Sequence, residues 1–204
     1  MNAVAAIVLA AGGSTRLGQP KQLVRFGGRA LVRHAAEVAL DSGCAPVVLV
    51  LGAEAEACAT ELRGLPVRLA FNADWRSGMA GSLRTGLDAL AESDAALAAA
   101  LLCLCDQPHV SSETLRAIVA AHRADGARIV ASEYAGTLGA PALFHASLFE
   151  ELRALRGDEG ARRLFARFPS EVVSIPHAAA ALDLDTPADH DRLITAISED
   201  QAAG

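Results

Sequence analysis

Residues Leu97–Cys105 read LAAALLCLC, an unbroken apolar run that stops at Asp106. A strand covered on both faces gives this signature, because neither set of alternating side chains meets water. Such strands belong to mostly parallel sheets with helices packed on each side. The rest of the chain keeps to that scheme. Val4–Leu9, Val47–Leu51, Val67–Phe71 and Ile129–Ser132 read as further strands. Between them, helical patterns run over Leu31–Leu40, Glu54–Leu62, Gly78–Leu90 and Ser111–Ala124. Gly43 closes the first of these, and Ser111 or Ser112 caps the last. The order then loosens. The stretch AGTLGAPALF (135–144) is expected as a loop, followed by a helix over Ala146–Leu155 and the loop RGDEG. A helix ending at Phe168 and a strand over Val172–Ile175 come next, and Thr186-Pro187-Ala188-Asp189 has the composition of a helix start.

The 204 residues suit one domain with a full core, and a hydrophobic content of 52% is that of a globular chain. No charge-free apolar run reaches the ~18 residues of a membrane span. The first apolar run is too short for a signal peptide and lacks its basic lead. A net charge of −6 argues against a nucleic-acid surface, though not against a local basic pocket. Cys44, Cys58, Cys103 and Cys105 form neither a CxxC pair nor a zinc spacing. Cys103 and Cys105 alternate in one strand and so share a face, as small core hydrophobes do. A cytoplasmic protein is the expectation.

In a sheet of this kind, ligands bind beyond the carboxyl ends of the strands. Residues 10–21, 72–82, 106–108 and 183–185 follow expected strands there. In the first stretch Gly12 and Gly13 allow positive φ and a close backbone approach to a ligand. Arg16 offers a fork for phosphate oxygens and Lys21 a point charge. Gly13 and Gly18 have the spacing of a Walker A loop, but Gln19-Pro20-Lys21 stands where Lys-Ser/Thr must follow. The dinucleotide fingerprint GxGxxG is absent as well. Two glycines and two cations directly after the first strand favour phosphate binding over a plain turn. Asp106 ends the most apolar strand, where a carboxylate can hold Mg²⁺, and Ser111 or Ser112 already supplies the next helix cap. Asp183 and Asp185 share a face of the alternating stretch ALDLDTP; Asp185 reads equally as an entry-turn residue beside Thr186, so Asp183 is the better candidate ligand. Gly78-Met79-Ala80-Gly81-Ser82 starts a helix with small residues. Those residues serve either free N–H groups facing an anion or base, or close packing on the sheet. Residues 157–162 read as the stop of one helix and the start of another. None of the six histidines has ligand spacing, and His109 reads as a surface residue. No GxSxG elbow supports an acyl-transfer triad, and Trp75 with Tyr134 cannot build a platform for single-stranded nucleic acid.

At these residues the chain resembles a known family. LAAGGSTRLGQPK (9–21) is similar to the LAAGxSxRxGxxK loop of nucleotidyltransferases related to the molybdenum cofactor enzymes. NADWRSGMAGSLRTGL, CDQP, GAPALF, LRGDEGARRL and LDLDTPADHDRL resemble later blocks of that family, in the same order. Within it, the molybdenum cofactor cytidylyltransferase group matches best. The resemblance implies a three-layer α/β/α sandwich with a mostly parallel, Rossmann-like sheet. It implies a single domain over 1–204, with a nucleotide-binding part over about 1–110 and an acceptor part over about 111–204. Nucleotide contacts are implied at Leu9, Ala10, Ala11, Gly12, Gly13, Arg16, Lys21, Asn72, Ser77, Gly78 and Ser82. Acceptor contacts are implied at Gly139, Pro141, Gly157, Asp158 and Arg162, and Mg²⁺ at Asp106 with Asp183 or Asp185. Arg16, Lys21 and Asp106 are the implied catalytic residues.

The implied reaction joins CTP to the phosphate of molybdopterin and releases pyrophosphate. Its nucleophile is already ionised at neutral pH, so no general base is needed, in keeping with the lack of a catalytic histidine. The partners expected are CTP, molybdopterin and a transient molybdenum hydroxylase or its chaperone, with no nucleic acid and no membrane. CTP is expected over GTP because guanylyl-transferring relatives carry a second glycine where Ala11 stands. Two alternatives remain open. One is a related transferase using GTP or another phosphorylated acceptor. The other is a non-catalytic carrier of the finished cofactor, against which the presence of both Lys21 and Asp106 speaks.

Overall fold

The central strand β1 (Ala3–Ala10) divides the core in two by simple alternation. Val4, Ala6, Val8 and Ala10 enter one buried cluster, while Ala5 and Ile7 enter the other. That is why the strand is apolar at every position. The computed structural model describes residues 3–14, 17–93 and 96–177. A short hairpin, β2 (Arg25–Phe26) and β3 (Arg29–Ala30), follows the first loop. The main sheet then adds β4 (Val47–Leu51), β5 (Arg68–Phe71), β6 (Leu97–Leu104), β7 (Ile129–Tyr134), β8 (Thr137–His145) and β9 (Val172–Pro176). Its seven strands lie in the order β5-β4-β1-β6-β8-β7-β9. All neighbours pair in parallel except β8, which runs antiparallel to both β6 and β7.

Helices cover both faces. On one side α1 (Leu31–Asp41), α2 (Ala55–Glu61) and α4 (Ser112–Asp125) bury Val32, Ala36, Cys58, Leu115 and Ile118 against the first cluster. On the other, α3 (Met79–Ala91), α5 (Phe149–Arg153) and α6 (Arg162–Arg167) bury Leu83, Leu87, Leu152 and Phe165. Gly86 lets α3 lie close on the sheet, since a Cβ there would sit 2.6 Å from the Ile7 Cγ2. Ser111 caps α4, its Oγ accepting from the Thr114 amide at 3.3 Å. Cys103 and Cys105 are buried in the same cluster, and burial pushes both thiols up; Cys58 is pushed up to about 11. Thiols so placed act as small apolar side chains.

One expectation is corrected. The stretch 135–144, expected as a loop, is mostly strand β8. Gly136, Gly139 and Pro141 hid it, because glycine and proline are depleted in strands. The ladder tolerates them through a bulge: Ala131 pairs with Ala142 and Ser132 with Gly139, so Ala140 and Pro141 are left out of the register. Proline lacks an N–H, and a bulge is where that lack costs no ladder bond. The bulge is anchored on both sides. Ser132 Oγ donates to the Pro141 carbonyl at 2.9 Å, and Gln107 Nε2 donates to the Ala140 carbonyl at 3.2 Å. Thr186 and the helix start expected there lie outside the described residues.

Candidate active site: two clefts that meet at Lys21 and Asp106

The carboxyl ends of β1 and β6 lie side by side, and the chain leaves each into a loop. After β6, Asp106 is buried to 9% exposure at the floor of the resulting depression. After β1, the loop crosses over and turns at Lys21–Leu23. The Lys21 ammonium pairs there with Asp106 Oδ2, both side chains being largely covered. Two clefts open on either side of this pair. The first, of about 490 Å³, is lined by Leu9, Ala10, Ala11, Gly12, Gly13, Gln22, Trp75, Arg76, Gly78 and Ser82. The second, of about 430 Å³, is lined by Leu83, Leu102, Tyr134, Ala140, Ala142, Arg162 and Phe165. Leu9, Lys21, Met79, Leu104, Asp106 and Asp158 face both.

The first loop is held in an unexpected way. Gly12 and Gly13 do not take positive φ; Ser14 and Gly18 do, at 51° and 73°. Gly13 is needed for space, because a Cβ there would lie 2.7 Å from the Trp75 ring. A Cβ at Gly12 would meet nothing within 4 Å, so that stretch of backbone is open to a ligand. Gln22, buried to 1% exposure, ties the loop together. Its Nε2 donates to the carbonyls of Ala10 at 3.1 Å and Gly12 at 2.5 Å, and its Oε1 accepts from Ser14 Oγ at 3.3 Å. The Ser14 hydroxyl in turn accepts from the Lys21 amide at 2.9 Å. Two carbonyls that would repel an anion are thereby engaged by the protein. We expect Gln22→Leu to cost about 1–3 kcal/mol of stability, the cost of leaving those buried carbonyls unmatched. Nucleotide affinity should fall with it, by about tenfold. Thermal unfolding and nucleotide titration read the two effects. Wild-type values for both would remove Gln22 from this role.

The second loop is only partly what the sequence suggests. Gly78 and Ser82 line the first cleft. Asn72 lies behind it: its Nδ2 donates to Ser82 Oγ at 3.0 Å and its Oδ1 accepts from the Asp74 amide at 3.1 Å. Ser77 is exposed and donates to the Asp74 carbonyl at 2.8 Å. The start of α3 is not wholly free for a ligand, because the Ala80 amide donates to the Gly157 carbonyl at 3.1 Å. Gly157 thus docks the 156–160 loop onto the start of α3, and Asp158 reaches both clefts. On the far side, Arg162 Nη2 donates to the Tyr134 hydroxyl at 2.8 Å, with Gly139 abutting both groups. Pro141 does not line the cleft; its neighbour Ala140 does. His109 is half-buried rather than a surface residue, its ring edge-on to Phe26 at 5.6 Å.

Arg16, Asp183 and Asp185 lie outside the described residues. Among the described residues, no group of three His, Cys, Asp or Glu side chains comes together for a metal. Among the described residues Asp106 is the buried carboxylate that faces both clefts, and Asp158 faces both from the 156–160 loop. That suits Mg²⁺, which commonly takes one or two carboxylates with phosphate oxygens and water. Sequence reasoning passed over Gln22, Arg76, Met79 and Tyr134 as site residues. Arg76 stacks over Trp75 at 4.2 Å and brings a second described cation to the first cleft.

Comparison with known proteins decides the family. The MobA-like NTP transferase domain matches residues 6–172. The chain belongs to that nucleotidyltransferase family. It is 34% identical to the nicotine blue oxidoreductase of Paenarthrobacter nicotinovorans over 194 residues, covering 90% of this chain and 92% of that one. It is 30% identical to the purine catabolism protein PucB of Bacillus subtilis, covering 94% and 96%. The crystal structure of Rv0371c from Mycobacterium tuberculosis superimposes with a TM-score of 0.81 at 29% identity, covering 95% and 98%. That protein has also been solved in complex with manganese, at a TM-score of 0.77 and 28% identity over the same shares. The seven-stranded sheet with helices on both faces is shared with Rv0371c and with a solved nucleotidyl transferase. Among the described residues no helix is long and apolar enough to cross a membrane.

Proposed function

We propose that the protein transfers a cytidylyl group from CTP to the phosphate of molybdopterin, releasing pyrophosphate and giving molybdopterin cytosine dinucleotide. The observation that carries this reading is the pair of clefts sharing one floor at Lys21 and Asp106. A two-substrate transfer needs two adjoining sites with the charged groups at their junction. The nucleotide would lie in the first cleft, over the Gly12–Gly13 backbone and beside Ser82. The acceptor would lie in the second, against Leu83, Leu102 and Phe165. Lys21 would neutralise charge on the departing pyrophosphate, with Arg76 and, by family resemblance, Arg16. A phosphate nucleophile needs no base, and among the described residues no histidine lines either cleft. Asp106 would hold Mg²⁺, completed by Asp183 or Asp185 and by phosphate oxygens; when bound, the cation shields the triphosphate's charge. The manganese complex of a relative supports a divalent ion here. A molybdenum hydroxylase would receive the product.

Lys21→Ala should lower the single-turnover rate more than it weakens CTP binding, since charge on the leaving group is greatest in the transition state. Removal of one such donor costs about 10²–10³-fold in rate. Rapid-quench kinetics beside a CTP titration separate the two; an effect confined to binding would make Lys21 a ground-state clamp.

The preference for CTP rests on Ala11. Ala11 lines the first cleft, and its methyl lies against the bare backbone of Gly52. One methyl decides about 1–3 kcal/mol in such a pocket. Asn72 cannot read the base directly from its place behind Ser82, so Ser82 is the side chain of this loop placed to do so. The deciding experiment supplies molybdopterin, Mg²⁺ and equal CTP and GTP, with product mass and pyrophosphate as readouts. A mainly cytosine dinucleotide is expected. A guanine product would overturn the cytidylyl assignment, and another accepted phosphate ester would replace molybdopterin. Binding of finished dinucleotide without turnover would point to a carrier. The oxidoreductase name of one relative supports a second reading, a redox reaction in the same clefts. Redox turnover without pyrophosphate would replace the transfer reading.

A further inference from the structure

The second cleft has apolar walls and, at one end, a guanidinium. Arg162 stands out among the arginines of its own helix. Arg163 pairs with Glu159 at 2.5 Å and Arg167 pairs with Glu151. Among the described residues no carboxylate lies within ion-pair distance of Arg162. Its partner is instead the hydroxyl of Tyr134, at 2.8 Å, with the guanidinium 5.9 Å from the centre of the same ring. Tyr134 is 9% exposed and fixed at the end of β7, so it is a rigid support. Gly139 on β8 opens the space for this arrangement. A Cβ there would lie 2.0 Å from the Tyr134 oxygen and 2.7 Å from Arg162 Nη2.

We propose that Tyr134 and Arg162 form an anion clamp in the second cleft that takes the phosphate of a phosphomonoester acceptor, with Tyr134 as the positioning residue. A phenol oxygen that accepts from a guanidinium keeps its own O–H to donate. The pair therefore presents the remaining guanidinium N–H groups and a polarised O–H to one oxyanion, a charge-assisted arrangement. Lys21 and Asp106, paired at the junction of the two clefts, line the same cleft as Arg162 and Tyr134, so the clamped phosphate and the proposed reaction centre share one cavity. Leu83, Leu102 and Phe165 then receive a flat or apolar acceptor body. The clamp rests on the transfer reading for the acceptor's identity, but its anion binding is testable alone.

The probe is inorganic phosphate, titrated while the Arg162 Nε–H resonance is followed by NMR. A saturable shift is expected in the wild type. Tyr134→Phe keeps the ring's volume, and melting temperature checks its fold; it should weaken phosphate binding about tenfold, the effect of one charge-assisted bond. Arg162→Lys should fail similarly, because a point charge cannot hold the phenol and an oxyanion together. In turnover, Tyr134→Phe should raise KM for molybdopterin about tenfold and leave KM for CTP at its wild-type value. An unmoved Arg162 resonance, wild-type phosphate affinity in the Phe variant, or parallel changes in both KM values would overturn the clamp. Tyr134-dependent phosphate binding in a protein that never turns over molybdopterin would leave the clamp standing and sink the molybdopterin reading instead.

Discussion

Replacing Asp106 with alanine is expected to abolish nucleotidyl transfer, lowering kcat at least about 10³-fold, the scale of losing an electrostatic anchor at the reacting centre. Asp106 is a buried carboxylate at the floor shared by both clefts, and Lys21 pairs with it. Removing it takes away the hard oxygen donor suited to a divalent ion and the acceptor that draws Lys21 to the junction. The fold should survive, since Ser111 and not Asp106 caps α4 and neither core cluster includes Asp106. Asp106→Asn separates the roles. It keeps the shape and a hydrogen-bond acceptor for Lys21 but loses the charge a cation needs, so it should fail nearly as badly. Pyrophosphate release across a Mg²⁺ titration, with circular dichroism of each variant, makes the check. Wild-type rates in Asp106→Asn would end the metal assignment.

The central sheet was legible because burial on both faces leaves a one-dimensional mark: unbroken apolar runs at 47–51 and 97–105. The depression beyond β1 and β6 followed from topology, since adjacent parallel strands end together. Strand β8 left no such mark. Its Gly139 and Pro141 serve a bulge and the seat of Tyr134 and Arg162, and those demands override strand composition. Gln22 was invisible for a different reason. A lone amide in the turn Lys21–Leu23 has no periodicity, and its value lies in carbonyls ten and twelve residues away. Asn72 and Ser77 carried the right chemistry for a base contact but spend it locally, on Ser82 and Asp74. Composition reports which groups a loop holds, and only the folded backbone decides which of them face the ligand.

Gly78→Ala is the second change expected to have a large effect. Gly78 takes φ 114° and ψ 173°, a region essentially closed to residues with a side chain. Space forbids the substitution independently. A Cβ there would lie 2.2 Å from the carbonyl carbon and oxygen of Gly157 and 2.7 Å from the Asp158 amide, all backbone atoms that cannot turn aside. The 156–160 loop would have to move off the start of α3 and break the bond from the Ala80 amide to the Gly157 carbonyl. Gly78 lines the first cleft and Asp158 lines both, so one displacement would disturb both clefts together. Strain of this kind costs about 1–3 kcal/mol. A misplacement of about 1 Å at a reacting pair costs about 10²-fold in rate. Gly157→Ala is the control, since its Cβ would meet nothing within 4 Å and only its φ of 56° opposes the change. That left-handed conformation costs an alanine about 1–2 kcal/mol. Thermal unfolding and initial rates should therefore place Gly157→Ala between the wild type and Gly78→Ala. If Gly78→Ala matched the wild type in rate and stability, or if Gly157→Ala were the more damaged of the two, the contact between these loops would not be what aligns the clefts.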